Sequence, residues 1–82
     1  MTKADFLQKK LAIDTIAVAY NYSSKGSDLK SGRVSYSDET SMVRIDVYLS
    51  KNTVSILSKG DEPRHLKNQT QTQIENIFKN PY

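Results

Sequence analysis

Between Met42 and Leu49 the chain reads Met-Val-Arg-Ile-Asp-Val-Tyr-Leu, so that Val43, Ile45, Val47 and Leu49 alternate with Met42, Arg44, Asp46 and Tyr48. A period of two sustained over eight residues describes a strand with one apolar face. The β-branched side chains pack well on a pleated surface, whereas Arg44 and Asp46 on the core side would carry a heavy desolvation cost. The remaining elements can be hung on the two faces of this strand.

Its neighbours follow from the turns. Arg33 to Ser37 also alternates, with Val34 and Tyr36 to one side and Arg33, Ser35 and Ser37 to the other. A turn centred on Glu39 and Thr40 sets Tyr36 across from Val43 and Val34 from Ile45, and the apolar face continues from strand to strand. A second turn at Lys51 and Asn52 pairs Leu49 with Val54 and Val47 with Ile56, Asn being tolerant of the left-handed conformation that tight hairpins need. Two turns that preserve one dry face predict an antiparallel meander of three or four strands.

Helices are expected at both ends. Thr2 to Ala12 carries Thr2 as N-cap, Asp5 three residues later, and Phe6, Leu7 and Leu11 on one face. From Thr15 to Ser23, Ile16, Val18, Tyr20 and Tyr22 alternate with Thr15, Ala17, Ala19 and Asn21, the pattern of a first strand. Ser23 to Gly32 has no hydrophobic period and holds two glycines, which reads as the longest loop. After a break at Ser58 to Pro63, a last helix is expected from about Asp61 to Lys79, with Leu66, Thr70, Ile74, Ile77 and Phe78 at helical spacing and a Glu75–Lys79 pair. Its six-residue polar centre, Asn68 to Gln73, is expected to be barely buried or reserved for a partner. The fold class is therefore α+β: an N-terminal helix, a meander sheet, and a C-terminal helix on one sheet face.

At 82 residues this is a single domain, residues 1–82, and a chain of this length buries only ~60–65% of its unfolded surface. Without cysteine there is no disulfide framework, no thiol nucleophile and no thiolate metal site. A cytoplasmic location is the expectation, since no stretch approaches the ~20 apolar residues of a membrane span. Twelve Lys and Arg against nine Asp and Glu give a formal charge of +3, which permits a polyanionic partner.

The residue types that carry catalysis are sparse. His65 is the lone histidine, expected to be a partly exposed surface residue, and neither a metal nor a cofactor is expected. The carboxylates are scattered through turns and helix starts. Gly26, Gly32 and Gly60 lie too far apart to cradle phosphate. The chain is read as non-enzymatic.

The other sheet face is more informative, because Arg33, Ser35, Arg44, Asp46 and Tyr48 should meet there on adjacent strands. Guanidinium and aromatic groups on an open sheet, with lysines at its ends, can stack bases and track phosphates. Lys25, Lys30, Arg33, Arg44, Tyr48 and Lys51 are the candidate nucleic-acid-binding residues. The order of a meander followed by a helix resembles the whirly-like single-strand DNA binders, and helix, strands, helix resembles double-stranded-RNA-binding domains; neither likeness is carried by a motif, and no family follows. Two functions are expected: a nucleic-acid-binding accessory or regulatory protein, or a protein-binding inhibitor or adaptor of phage or mobile-element type. A homodimer pairing sheet edges belongs to the second.

Overall fold

The computed structural model describes residues 2–82. Helix α1 spans Lys3–Ala19; strands β1 Tyr22–Asp28, β2 Arg33–Asp38, β3 Val43–Tyr48, β4 Thr53–Ser58 and β5 Arg64–Leu66 follow; helix α2 spans Gln71–Lys79. Every strand pairs antiparallel with the next in the chain, so the sheet is one meander in the order β1-β2-β3-β4-β5. The α+β class and the sequence of helix, meander, helix hold, with five strands instead of three or four.

Thr2 caps α1 as its position suggests, its hydroxyl accepting from the amide of Asp5 at 3.1 Å. The helix then runs through Thr15–Ala19, where a strand was expected. The preference of Thr15, Ile16 and Val18 for strands amounts to only tenths of a kcal/mol, and nothing between Ala12 and Tyr20 breaks a helix that is already nucleated. Asn21 ends it, at φ 64°, in the left-handed position after a helix C-terminus. The dry side of α1 is Phe6, Ile13 and Ala17, while Leu7 and Leu11, expected beside Phe6, are exposed.

The segment read as the longest loop is largely β1. Its residues after Tyr22 are all exposed, so no hydrophobic period marks them, and beyond the buried Tyr22 the strand is held by backbone pairing to β2. A bulge falls between Ser24 and Gly26, whose φ of 147° suits glycine.

Both expected hairpin registers are displaced by two residues. Tyr36 faces Ile45 and Val34 faces Val47, while Val47 faces Val54 and Ile45 faces Ile56. The reversals are longer than two residues. Each of the four between strands contains one residue with positive φ: Gly32, Ser41, Asn52 and Gly60. The Asp38 carboxylate fastens the second, accepting from Thr40 Oγ1 at 3.1 Å and from the Met42 amide at 3.1 Å. A shift of two leaves every side chain on its own face, so the division into faces is as expected.

The inner face buries Val34, Tyr36, Val43, Ile45, Val47, Leu49, Val54 and Ile56 under Phe6, Ile13 and Ala17 of α1 and Ile74, Ile77 and Phe78 of α2. The Phe78 ring meets Tyr22 and Tyr36 edge-on at centroid separations of 5.1 and 5.4 Å. The Tyr36 hydroxyl donates to Asp14, which also pairs with Lys10, and so ties helix to sheet.

The last helix starts at Gln71, not Asp61. Thr70, expected on its apolar side, is the N-cap of a capping box with Gln73. Asn68, at φ 55°, belongs to the connection from β5, so the polar stretch 68–73 is a linker and a cap rather than the middle of a helix. Glu75 accepts a hydrogen bond from the Tyr20 hydroxyl at 3.2 Å.

Candidate nucleic-acid interface

The face of the sheet turned away from the helices is built in cross-strand rows. One row runs Asp28, Arg33, Tyr48, Thr53; the next runs Ser35, Asp46, Ser55, His65; a third runs Ser37, Arg44, Leu57. Arg33, Ser35, Arg44, Asp46 and Tyr48 thus share this face, although their direct partners differ from those the shorter turns would give.

The middle row is packed rather than open. Ser35, Asp46 and Ser55 are buried even without helical cover, Asp46 to 7% exposure. The long side chains beside them provide the cover. Arg44 Nε donates to Asp46 Oδ1 at 3.0 Å and its Nη2 to Ser35 Oγ at 3.4 Å, so this guanidinium is engaged in holding a buried carboxylate. Ser55 Oγ and His65 Nδ1 share a hydrogen bond of 2.7 Å. The pair has the composition of a nucleophile and a base, yet the backbone of β4 is laddered to β3 and β5, and Asp46 adjoins Ser55, not the imidazole.

The two ends of the face differ in charge, one mainly basic and the other mixed. The reversals 29–32 and 49–52 lie at one end, joined by the Leu49 amide donating to the Gly32 carbonyl at 2.8 Å. Lys30, Arg33 and Lys51 gather there beside Tyr48. Tyr48, Lys51, Thr53, Ser55, His65 and Lys67 line a shallow depression at the same end. Asp28, the acidic residue in that row, is occupied by its own turn: its carboxylate accepts from the Lys30 amide and the Ser31 hydroxyl, each at 3.0 Å. The Ser31 and Lys30 hydrogen bonds hold its pKa below the usual carboxylate value. The opposite end mixes signs: Asp38, Glu39, Asp61 and Glu62 stand there with Lys59 and Arg64, on reversals joined by the Lys59 amide to the Met42 carbonyl at 2.9 Å.

Of the six candidates read from the sequence, Lys30, Arg33, Tyr48 and Lys51 converge. Arg44 lies in the third row, bound to Asp46, and Lys25 sits at the bulge of the edge strand β1. His65 and Lys67 join the convergent group because Arg64–Leu66 is a strand. Pro63 before it, and the apolar Leu66 two residues past Arg64, were the available signs of a short extended segment.

Among the described residues no group of three or more His, Cys, Asp or Glu is placed to hold a metal ion, and no helix is long and apolar enough to cross a membrane. Comparison with protein-family models, with curated proteins and with solved structures finds no match in any of the three.

Proposed function

We propose that this chain is a small non-enzymatic protein that binds nucleic acid as an accessory or regulatory factor in the cytoplasm, through the basic end of its open sheet face. The observation that carries this reading is the grouping of Arg33, Lys51 and Lys67 around Tyr48 and His65 on one end of the face, with Lys30 on the adjoining reversal and mixed charge at the other end. Cations there track phosphates, and Tyr48 offers a ring on which an unpaired base can stack. Arg44 serves the stability of this face, and Lys25 lies beside the contact.

Titration of a fluorescent oligonucleotide at rising salt tests the reading. Affinity is expected to fall linearly on a log–log plot with a slope of roughly −2 to −3, reflecting three to four phosphate contacts at about −0.7 each for a single strand. No binding at low salt, or binding indifferent to replacing Lys51 and Lys67 together, overturns it.

A protein-binding role as inhibitor or adaptor is the second reading. It is favoured by the apolar residues that α1 leaves exposed.

A further inference from the structure

The basic end of the open face holds a buried hydroxyl beneath an exposed imidazole. Ser55 is 6% exposed, and among the described residues its side chain makes one hydrogen bond, 2.7 Å long, to Nδ1 of His65 on the neighbouring strand. A buried hydroxyl needs an acceptor for its proton, since leaving it unmatched costs the full desolvation of the group. Asp46, the direct partner of Ser55 on β3, receives the Nε of Arg44. Nδ1 is the acceptor that Ser55 reaches, so the hydroxyl donates and the imidazole carries its own proton on Nε2. With Nδ1 held against β4, Nε2 lies across the ring on the exposed side, where His65 lines the depression beside Tyr48.

That depression, of about 410 Å³, has the size of a small-ligand site. Its walls are largely carbon, from the Tyr48 ring, the Thr53 methyl and the stems of Lys51 and Lys67, which suits a flat ring better than a phosphate. Its charged groups are two ammonium ions, and no carboxylate lines it. A base lying on Tyr48 spans the ~10 Å from β3 to β5, two strand spacings, and turns its edge toward His65. The group waiting there is a donor held in one orientation, which rewards a carbonyl oxygen and opposes an amine.

We propose that the depression takes a single unpaired base and prefers one with a carbonyl where its counterpart carries an amine, uracil or thymine over cytosine and guanine over adenine. His65 Nε2 is the selecting donor, and Ser55 is the residue that positions it. This rests on the reading of the basic end as the nucleic-acid contact, and adds to it a choice of base that the lysines alone would not make, since phosphate is common to every sequence.

Single strands of deoxyuridine and of deoxycytidine, equal in length and charge, test the choice at one changed position of the ring. At neutral pH the uridine strand is expected to bind roughly fivefold more tightly, the yield of one net hydrogen bond, while the two salt slopes coincide. Ser55→Ala is expected to remove the preference and leave the slope, and Ser55→Thr, which keeps the hydroxyl, to retain it. Long-range 1H–15N spectra of the free protein read the tautomer without any ligand, and the ring proton is expected on Nε2. Equal binding of the two strands overturns the choice of base and leaves the basic contact standing; binding of neither overturns both. A ring proton on Nδ1, or a preference undiminished in Ser55→Ala, overturns the positioning by Ser55.

Discussion

Arg33 and Tyr48 are direct cross-strand partners on β2 and β3, and the Nε of Arg33 is buried beside them without a hydrogen-bond acceptor. A buried donor left unmatched costs roughly 1–3 kcal/mol, so this residue is poorly justified by stability. Arg33→Met, which keeps the apolar stem, is expected to leave the folding free energy unchanged or raise it by about 1 kcal/mol, while weakening oligonucleotide binding and making its salt slope shallower. Urea unfolding and the salt titration, run on the same variant, check both halves.

Arg44 is expected to behave in the opposite way. Arg44→Ala leaves the Asp46 carboxylate buried beside Ser35 and Ser55 with its ion pair gone. Half of Arg44 is solvent-exposed, which limits the loss to about 1 kcal/mol, and affinity is expected to change less than twofold. A double-mutant cycle with Asp46→Asn should recover most of the coupling.

Alkaline stability depends on Tyr36. Burial first, then the hydrogen bond and negative charge of Asp14, raise its pKa well above the ordinary phenol value. The folded chain therefore keeps this proton at pH values where the unfolded chain loses it. Its contribution is complete below about pH 10 and declines as pH rises further, by up to ~1.4 kcal/mol per pH unit for one group. Tyr22, raised by burial and by Asp38, acts in the same direction. Tyr36→Phe is expected to cost about 1 kcal/mol at neutral pH, through the lost hydrogen bond, and to flatten the decline above pH 10 without removing it. Thermal melts between pH 8 and 11.5 measure this.

Two glycines in equivalent reversals are expected to differ. Gly32 has φ 72° and an added Cβ would stand 3.2 Å from Ser50 Oγ, whereas Gly60 has φ 89° with nothing within 4 Å. Gly60→Ala carries backbone strain of ~1 kcal/mol, and Gly32→Ala is expected to exceed it slightly because the Ser50 hydroxyl must also give way. Comparing their unfolding midpoints in urea decides it.

The faces of the sheet were legible in the sequence because alternation survives any even change of register; the turn lengths were not, since Ser41 takes the left-handed conformation one step past the expected Glu39–Thr40 turn, and Asn52 takes it as expected but closes a longer reversal. Val43, Ile45, Val47 and Leu49 are buried as the alternation predicts. The errors fall where local pattern and tertiary context disagree. Ile16, Val18 and Tyr20 alternate like a strand, but Ile16, Ala17 and Tyr20 also continue the helical spacing begun at Ile13, and an intact α1 prevails. β1 is polar because an edge strand outside the helical cover needs no apolar face. That Arg33 and Tyr48 share a face could be reached from strand parity, and that Lys30 and Lys51 lie at one end of it from the order of the turns; the addition of His65 and Lys67 required β5, which three residues cannot announce.

The central claim is that nucleic acid sits on the basic end of the open face and leaves the helices untouched. Nuclear magnetic resonance spectra of the 15N-labelled protein, recorded as a short single-stranded oligonucleotide is added, test it most directly. Shifts are expected at the amides of Lys30, Arg33, Tyr48, Lys51, His65 and Lys67, with Leu7, Leu11 and Val18 unmoved. Shifts centred on α1, or spread equally over Glu39 and Glu62 at the opposite end of the sheet, would contradict it.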